Sequence, residues 1–172
     1  VNMDYFVMAL DPRASGFEEM DFKDIRFQKE DPFVMHLKMA PEDRLPDLTQ
    51  GKNLWKTFFC VSQKMKEILD IYDCLAQSAP VFLTDYQYRS QQVYWNIKVQ
   101  EQDCLVQDFY ADQERLRFLR EPKEGIHMFL ATRVKTQYFL VSLELAENLL
   151  IRQMYGLCFF PVMEMSERMK KW

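Results

Sequence analysis

The chain has 172 residues, 48% of them hydrophobic and 15% aromatic. At this size about 70% of the unfolded surface can be buried, so a single domain spanning residues 1–172 suffices. Charged residues at 28% are ordinary for a globular protein and exclude a disordered one, and the net charge of −4 argues against non-specific binding to nucleic acid or anionic membrane, both of which need a basic face. A basic protein partner suits this balance better.

No apolar run approaches the roughly 20 residues that cross a bilayer, and no basic segment followed by an apolar core and a cleavage site opens the chain. A cytoplasmic protein is the expectation. Cys60, Cys74, Cys104 and Cys158 are irregularly spaced and form no C-x-x-C pair, so four free thiols in a reducing compartment are expected.

In chain order, Met3 to Leu10 (MDYFVMAL) reads as a first strand, stopped by Asp11-Pro12 and Ser15-Gly16. Residues Phe17 to Lys38 have no clean period, and strand and loop both stay open there. Pro41, Pro46 and Gly51 make Ala40 to Asn53 an irregular connection. Lys56 to Val61 reads as a strand, with Ser62 placed to cap the helix that follows. Met65, Ile68, Leu69 and Tyr72, at i, i+3, i+4 and i+7, give that helix one apolar stripe. Pro80 to Leu83 resumes an extended pattern, with the Pro suited to the first position of a strand. Val93 to Val99 (VYWNIKV) and Ile126 to Ala131 read as two further strands. Gln137 to Val141 is a strand again, Ser142 a cap, and Leu145, Ala146, Leu149 and Leu150 the apolar face of a second helix. Gly156 is expected to end that helix in the left-handed conformation, before a returning strand at Phe159 to Val162.

Two stretches echo each other. Phe59, Val61, Ser62, Glu67, Leu69 and Ile71 match Phe139, Val141, Ser142, Glu147, Leu149 and Ile151 at a constant offset of 80. The implied architecture is α+β, a mixed sheet with a few packed helices and a strand-helix-strand unit duplicated over about 56–85 and 137–165. Two copies are too few for a solenoid.

Little in the sequence announces chemistry. His36 and His127 have no Cys, Asp or Glu at a metal-ligand spacing, so structural histidines are the simpler reading and no metal is expected. A nucleophile built from a cysteine and a histidine requires the fold to bring them together. Ser62 and Ser142 lack the flanking glycines of a nucleophile elbow and read as helix caps. With Gly16, Gly51, Gly125 and Gly156 as the only glycines, no phosphate-cradling loop can be built, and no cofactor is expected. The run from Glu101 to Glu114 contains Glu101, Asp103, Asp108, Asp112 and Glu114, no Lys or Arg, and the aromatics Phe109 and Tyr110. A solvated segment is the plain reading; an acidic contact surface with aromatic anchors is the functional one.

Val141 to Leu150 (VSLELAENLL), followed by Gly156-Leu157-Cys158-Phe159-Phe160-Pro161-Val162, resembles the predicted immunity proteins of bacterial polymorphic-toxin systems. Tyr94-Trp95-Asn96-Ile97 leading to Asp103-Cys104-Leu105 and the opening Tyr5-Phe6-Val7 are similar to that family too. The likeness runs from about Phe58 to Val162. It departs at Val106-Gln107-Asp108, where an acid would follow directly, and at Ala76, which replaces a glycine. The resemblance implies a non-catalytic cytoplasmic protein that binds and neutralises a cognate toxin. The alternatives are a hydrolase or transferase with a Cys/His site assembled in the fold, and a regulatory or oligomeric module.

Overall fold

The computed structural model describes residues 4–14, 33–36, 44–52, 57–110, 113–132 and 137–162. In chain order the strands are β1 (Tyr5–Leu10), β2 (Phe33–His36), β3 (Leu48–Lys52) and β4 (Thr57–Ser62), then helix α1 (Gln63–Ile71). The strands β5 (Leu75–Asp85), β6 (Ser90–Gln102), β7 (Leu105–Tyr110), β8 (Gln113–Phe118), β9 (Met128–Ala131) and β10 (Phe139–Ser142) follow, then helix α2 (Leu143–Ile151) and β11 (Leu157–Pro161). The α+β expectation holds: among the described residues a curled, mixed sheet dominates and two helices pack on it. The sheet runs β11-β1-β10-β9-β6-β4-β3, with β5 also on β6 and β2 parallel to β5; β7 and β8 form a separate hairpin.

Strand periodicity divides the core. Met8, Phe139 and Val141 meet Met65, Ile68 and Leu69 of α1 and Leu145, Ala146 and Leu149 of α2 in one cluster. Their neighbours Val7 and Leu140 point to the opposite face and pack with Tyr5, Phe129, Leu105 and Leu116, the last two from the β7–β8 hairpin. β9 and β10 are therefore buried on both faces, which explains their unbroken apolar sequences. Nine residues are too few for a helix to persist alone, so α1 and α2 owe their stability to those buried stripes and to their ends. Ser62 Oγ accepts from Met65 N (3.1 Å) and Ser142 Oγ from Leu145 N (3.3 Å), the expected caps.

Several expectations need correction. β3 occupies residues read as irregular, because a strand of Leu-Thr-Gln followed by Gly51 is specified by pairing with β4 more than by its own pattern. β5 starts five residues before Pro80. Ser62 N donates to Asp47 O, so by alternation Val61 faces β6, Trp95 faces β4, and Val81 faces β6. The nitrogen of Pro80 thus points away from β6, on the side where β2 covers only Val81 to Thr84, and no ladder bond is lost. Gly156 does not end α2. Gln153 (φ 55°) does, with Gln153 N on Leu150 O and Met154 N on Leu149 O, as Asp73 (φ 51°) does for α1, with Asp73 N on Asp70 O and Cys74 N on Leu69 O. Gly156 (φ 79°) instead turns the chain into β11, with Pro46 and Ala14 against its Cα. Leu150 lies off the buried stripe and is exposed, whereas Tyr72, which caps α1, packs partly buried against the same cluster as Met65, Ile68 and Leu69. His36 falls in β2, and residues 17–32 lie outside the described residues.

Candidate functional site

The acidic run folds as the end of β6, a short link and a hairpin. Glu101 is exposed near the end of β6, in register with Leu130 of β9. Asp103 is half-buried in the link: Arg120 Nε donates to its carbonyl at 2.8 Å, and Arg120 Nη2 stands 3.9 Å from its Oδ2. Leu119 N donates to Cys104 O, which closes the base of the hairpin. Asp108, Phe109 and Tyr110 lie on β7, in register with Arg115, Glu114 and Gln113 of β8, and Val106 is in register with Arg117. Asp112 lies outside the described residues. One acid of the run, Asp108, is thus set in register with an arginine, Arg115, across the β7–β8 pair. Opposite charges across an antiparallel pair stabilise it by a few tenths to about 1 kcal/mol.

The candidate nucleophiles and bases are placed in structural bonds. Asp47, buried just before β3, accepts from Ser62 Oγ at 2.5 Å and from Tyr155 N at 2.6 Å, with Arg44 Nη2 at 3.9 Å. Tyr94 Oη donates to Pro46 O at 2.8 Å, and burial raises its pKa. At the start of α2, His127 Nδ1 is 2.9 Å from Ser142 Oγ, and the imidazole meets the Tyr72 ring edge-on at 4.9 Å. Tyr72 Oη accepts in turn from Asn148 Nδ2, and Tyr5 Oη donates to Ile126 O. A serine beside a histidine invites a catalytic reading, but Ser142 is 2% exposed and its oxygen holds a helix N–H, so substrate has no approach to it. Burial pushes the thiols of Cys60 and Cys74 up to about 12 and that of Cys158 up to about 11, which leaves them poor nucleophiles at neutral pH. All four cysteines are free. Among the described residues no three His, Cys, Asp or Glu side chains converge as a metal site.

Two further features of the fold stand out in three dimensions. Asp47 gives no signal by itself, because a carboxylate beside a proline in a polar stretch looks solvated. The turn between β5 and β6 is the other: Asp85, 3% exposed, accepts from Gln87 N at 2.8 Å and Tyr88 N at 3.1 Å, fixing a tip from which Tyr86 (71% exposed) and Tyr88 (43%) project. Asp followed by aromatic and polar residues between two extended runs was its signal. No helix among the described residues is long and apolar enough to cross a membrane. No protein-family model matches this chain, and no curated protein matches it.

Proposed function

We propose that this protein is a non-catalytic, cytoplasmic immunity protein that binds and neutralises a cognate toxin, with the 101–114 segment forming part of the contact surface. The observation that carries this reading over an enzymatic one is the commitment of the reactive side chains. Ser62 and Ser142 hold helix N–H groups, Asp47 holds Ser62 and Tyr155, and the buried thiols resist ionisation. Among the described residues, what remains for function is surface. A protein inhibitor needs about 800 Å² of pre-formed surface on each partner and no reactive group. In this reading the contact segment has mixed charge, since Asp108 of β7 stands in register with Arg115 of β8.

The duplication belongs to the same proposal: the strand-helix-strand units over about 56–85 and 137–165 descend from one unit. Supporting it, Leu48 pairs with Val61 and Met128 with Val141, while Tyr94 and Tyr5 stand opposite Ser62 and Ser142. The two tyrosine hydroxyls donate to Pro46 O and Ile126 O, again 80 residues apart. Asp47 and His127 take the same place beside the two capping serines.

The test is co-expression with the protein encoded by the neighbouring gene, scored by relief of toxicity and by association kinetics. The double variant Glu101→Lys, Asp112→Lys is expected to slow association about tenfold at low salt while the thermal midpoint stays put. An unchanged on-rate removes the segment from the interface, and a neighbour whose toxicity is not relieved by the unaltered chain overturns the immunity reading.

A further inference from the structure

We propose that the open edge of β6 at Ser90 to Val93 captures an extended, acidic segment of the partner protein as an added strand. The inference rests on the binding reading above and names the element that does the holding. β5 pairs with β6 from Leu75/Val99 to Asp85/Ser90, whereas β4 pairs with it only from Ile97 to Tyr94. Beyond Tyr94, where β4 turns into α1, no described strand lies on that side, and Ser90, Gln91, Gln92 and Val93 are all exposed.

Alternation fixes which amides are open. Trp95 and Ile97 face β4, so Val93 and Gln91 direct their N–H and C=O groups away from β5, to the side where no described strand pairs with them, about 13 Å of strand edge. Proteins ordinarily blunt such edges with prolines, charges, glycines or bulges. Two other edges of this sheet carry them: Pro161 ends β11 and Gly51-Lys52 ends β3. Ser90-Gln91-Gln92-Val93 has no proline, glycine or charge, and the irregularity in β5–β6 pairing falls at the far end, between Leu75 and Gln77. An undefended edge beside a rigid tip bearing Tyr86 and Tyr88 has the make-up of a strand-addition site.

The occupant follows from geometry and charge. A second copy fits badly. Antiparallel self-pairing that sets Gln91 against Val93 of the copy puts the copy's Ser90 opposite Tyr94, where Ser62 already sits. Self-pairing centred on Gln91 brings in Arg89, whose φ of 49° breaks the strand. A single extended segment meets neither obstacle. From Tyr86 to Gln100 the chain contains no Asp or Glu, and its charges are Arg89 and Lys98, so an acidic segment is favoured in a protein that is otherwise net acidic.

The test pans short random peptides displayed on phage against the full chain and titrates the enriched sequences. Acid-bearing extended peptides are expected, binding the Gln91→Pro, Val93→Pro variant at least about tenfold more weakly, the effect of two lost backbone hydrogen bonds. Both prolines sit where no backbone bond to β5 is lost, and Gln91→Pro gives up only the exposed side-chain bond from Gln91 Nε2 to Thr84 Oγ1. Should that variant unfold, amide exchange on the unaltered protein decides: slowing at Gln91 and Val93 on peptide addition supports the site, and no slowing overturns it. Equal binding to both proteins, or enrichment of no peptide that depends on these amides, also overturns it. A chain that neutralises its toxin yet fails here keeps its function and loses this edge; one that selects such peptides but neutralises nothing does the reverse.

Discussion

Asp47 shows how one side chain can join parts of the chain that sequence keeps far apart. Its carboxylate takes Ser62 Oγ on one oxygen and Tyr155 N on the other, and its own N–H donates to Tyr155 O. Truncation leaves the partly buried backbone N–H of Tyr155 without its partner and removes the support of a cap. Asp47→Ala is therefore expected to cost about 2–4 kcal/mol in urea unfolding, whereas His127→Ala, which removes only the bond to Ser142 and an edge-on ring contact, costs about 1–2 kcal/mol. At this scale the capping serines were legible, because a hydroxyl residue directly before an apolar helical stripe has few other uses. Asp47 was not, because its partners are 15 and 108 residues away.

Elements were legible in proportion to how far their own pattern, rather than their neighbours, decides them. β1, both helices and the strands β4 and β10 that lead into them follow period and caps. β3 and the β7–β8 hairpin exist through pairing, and Asp108 reads as part of a solvated acidic segment until Arg115 is set opposite it. The 101–114 site was legible as charge but not as arrangement. Between elements, Gly156 is the sharpest local constraint: φ is 79°, and a Cβ would run into Pro46. Gly125 shares the φ region (77°) but faces open space. Gly156→Ala should thus destabilise by about 2–4 kcal/mol and Gly125→Ala by about 1 kcal/mol, compared by denaturation midpoints.

For the whole molecule, the buried thiols give an alkaline limit. Cys60 and Cys74 are raised from 9.0 to about 12, so the native state prefers the protonated form. Their contribution is fully present below pH 9 and is lost as pH rises toward 12, by up to about 1.4 kcal/mol per thiol per pH unit. Urea unfolding at pH 7, 9.5 and 10.5 should show this decline, and Cys60→Val should make it shallower. The sheet also has an order in time. β1 lies between β10 and β11, so both neighbours of a strand beginning at Tyr5 start at Phe139 or later. Loop closure over such separations costs entropy before any contact rewards it, which places folding in the slow, millisecond-to-second range of β-rich topologies. On the ribosome β1 is made early and stays unpaired until β10 and β11 emerge, and Tyr5 to Leu10 is a strand that a chaperone would have reason to hold.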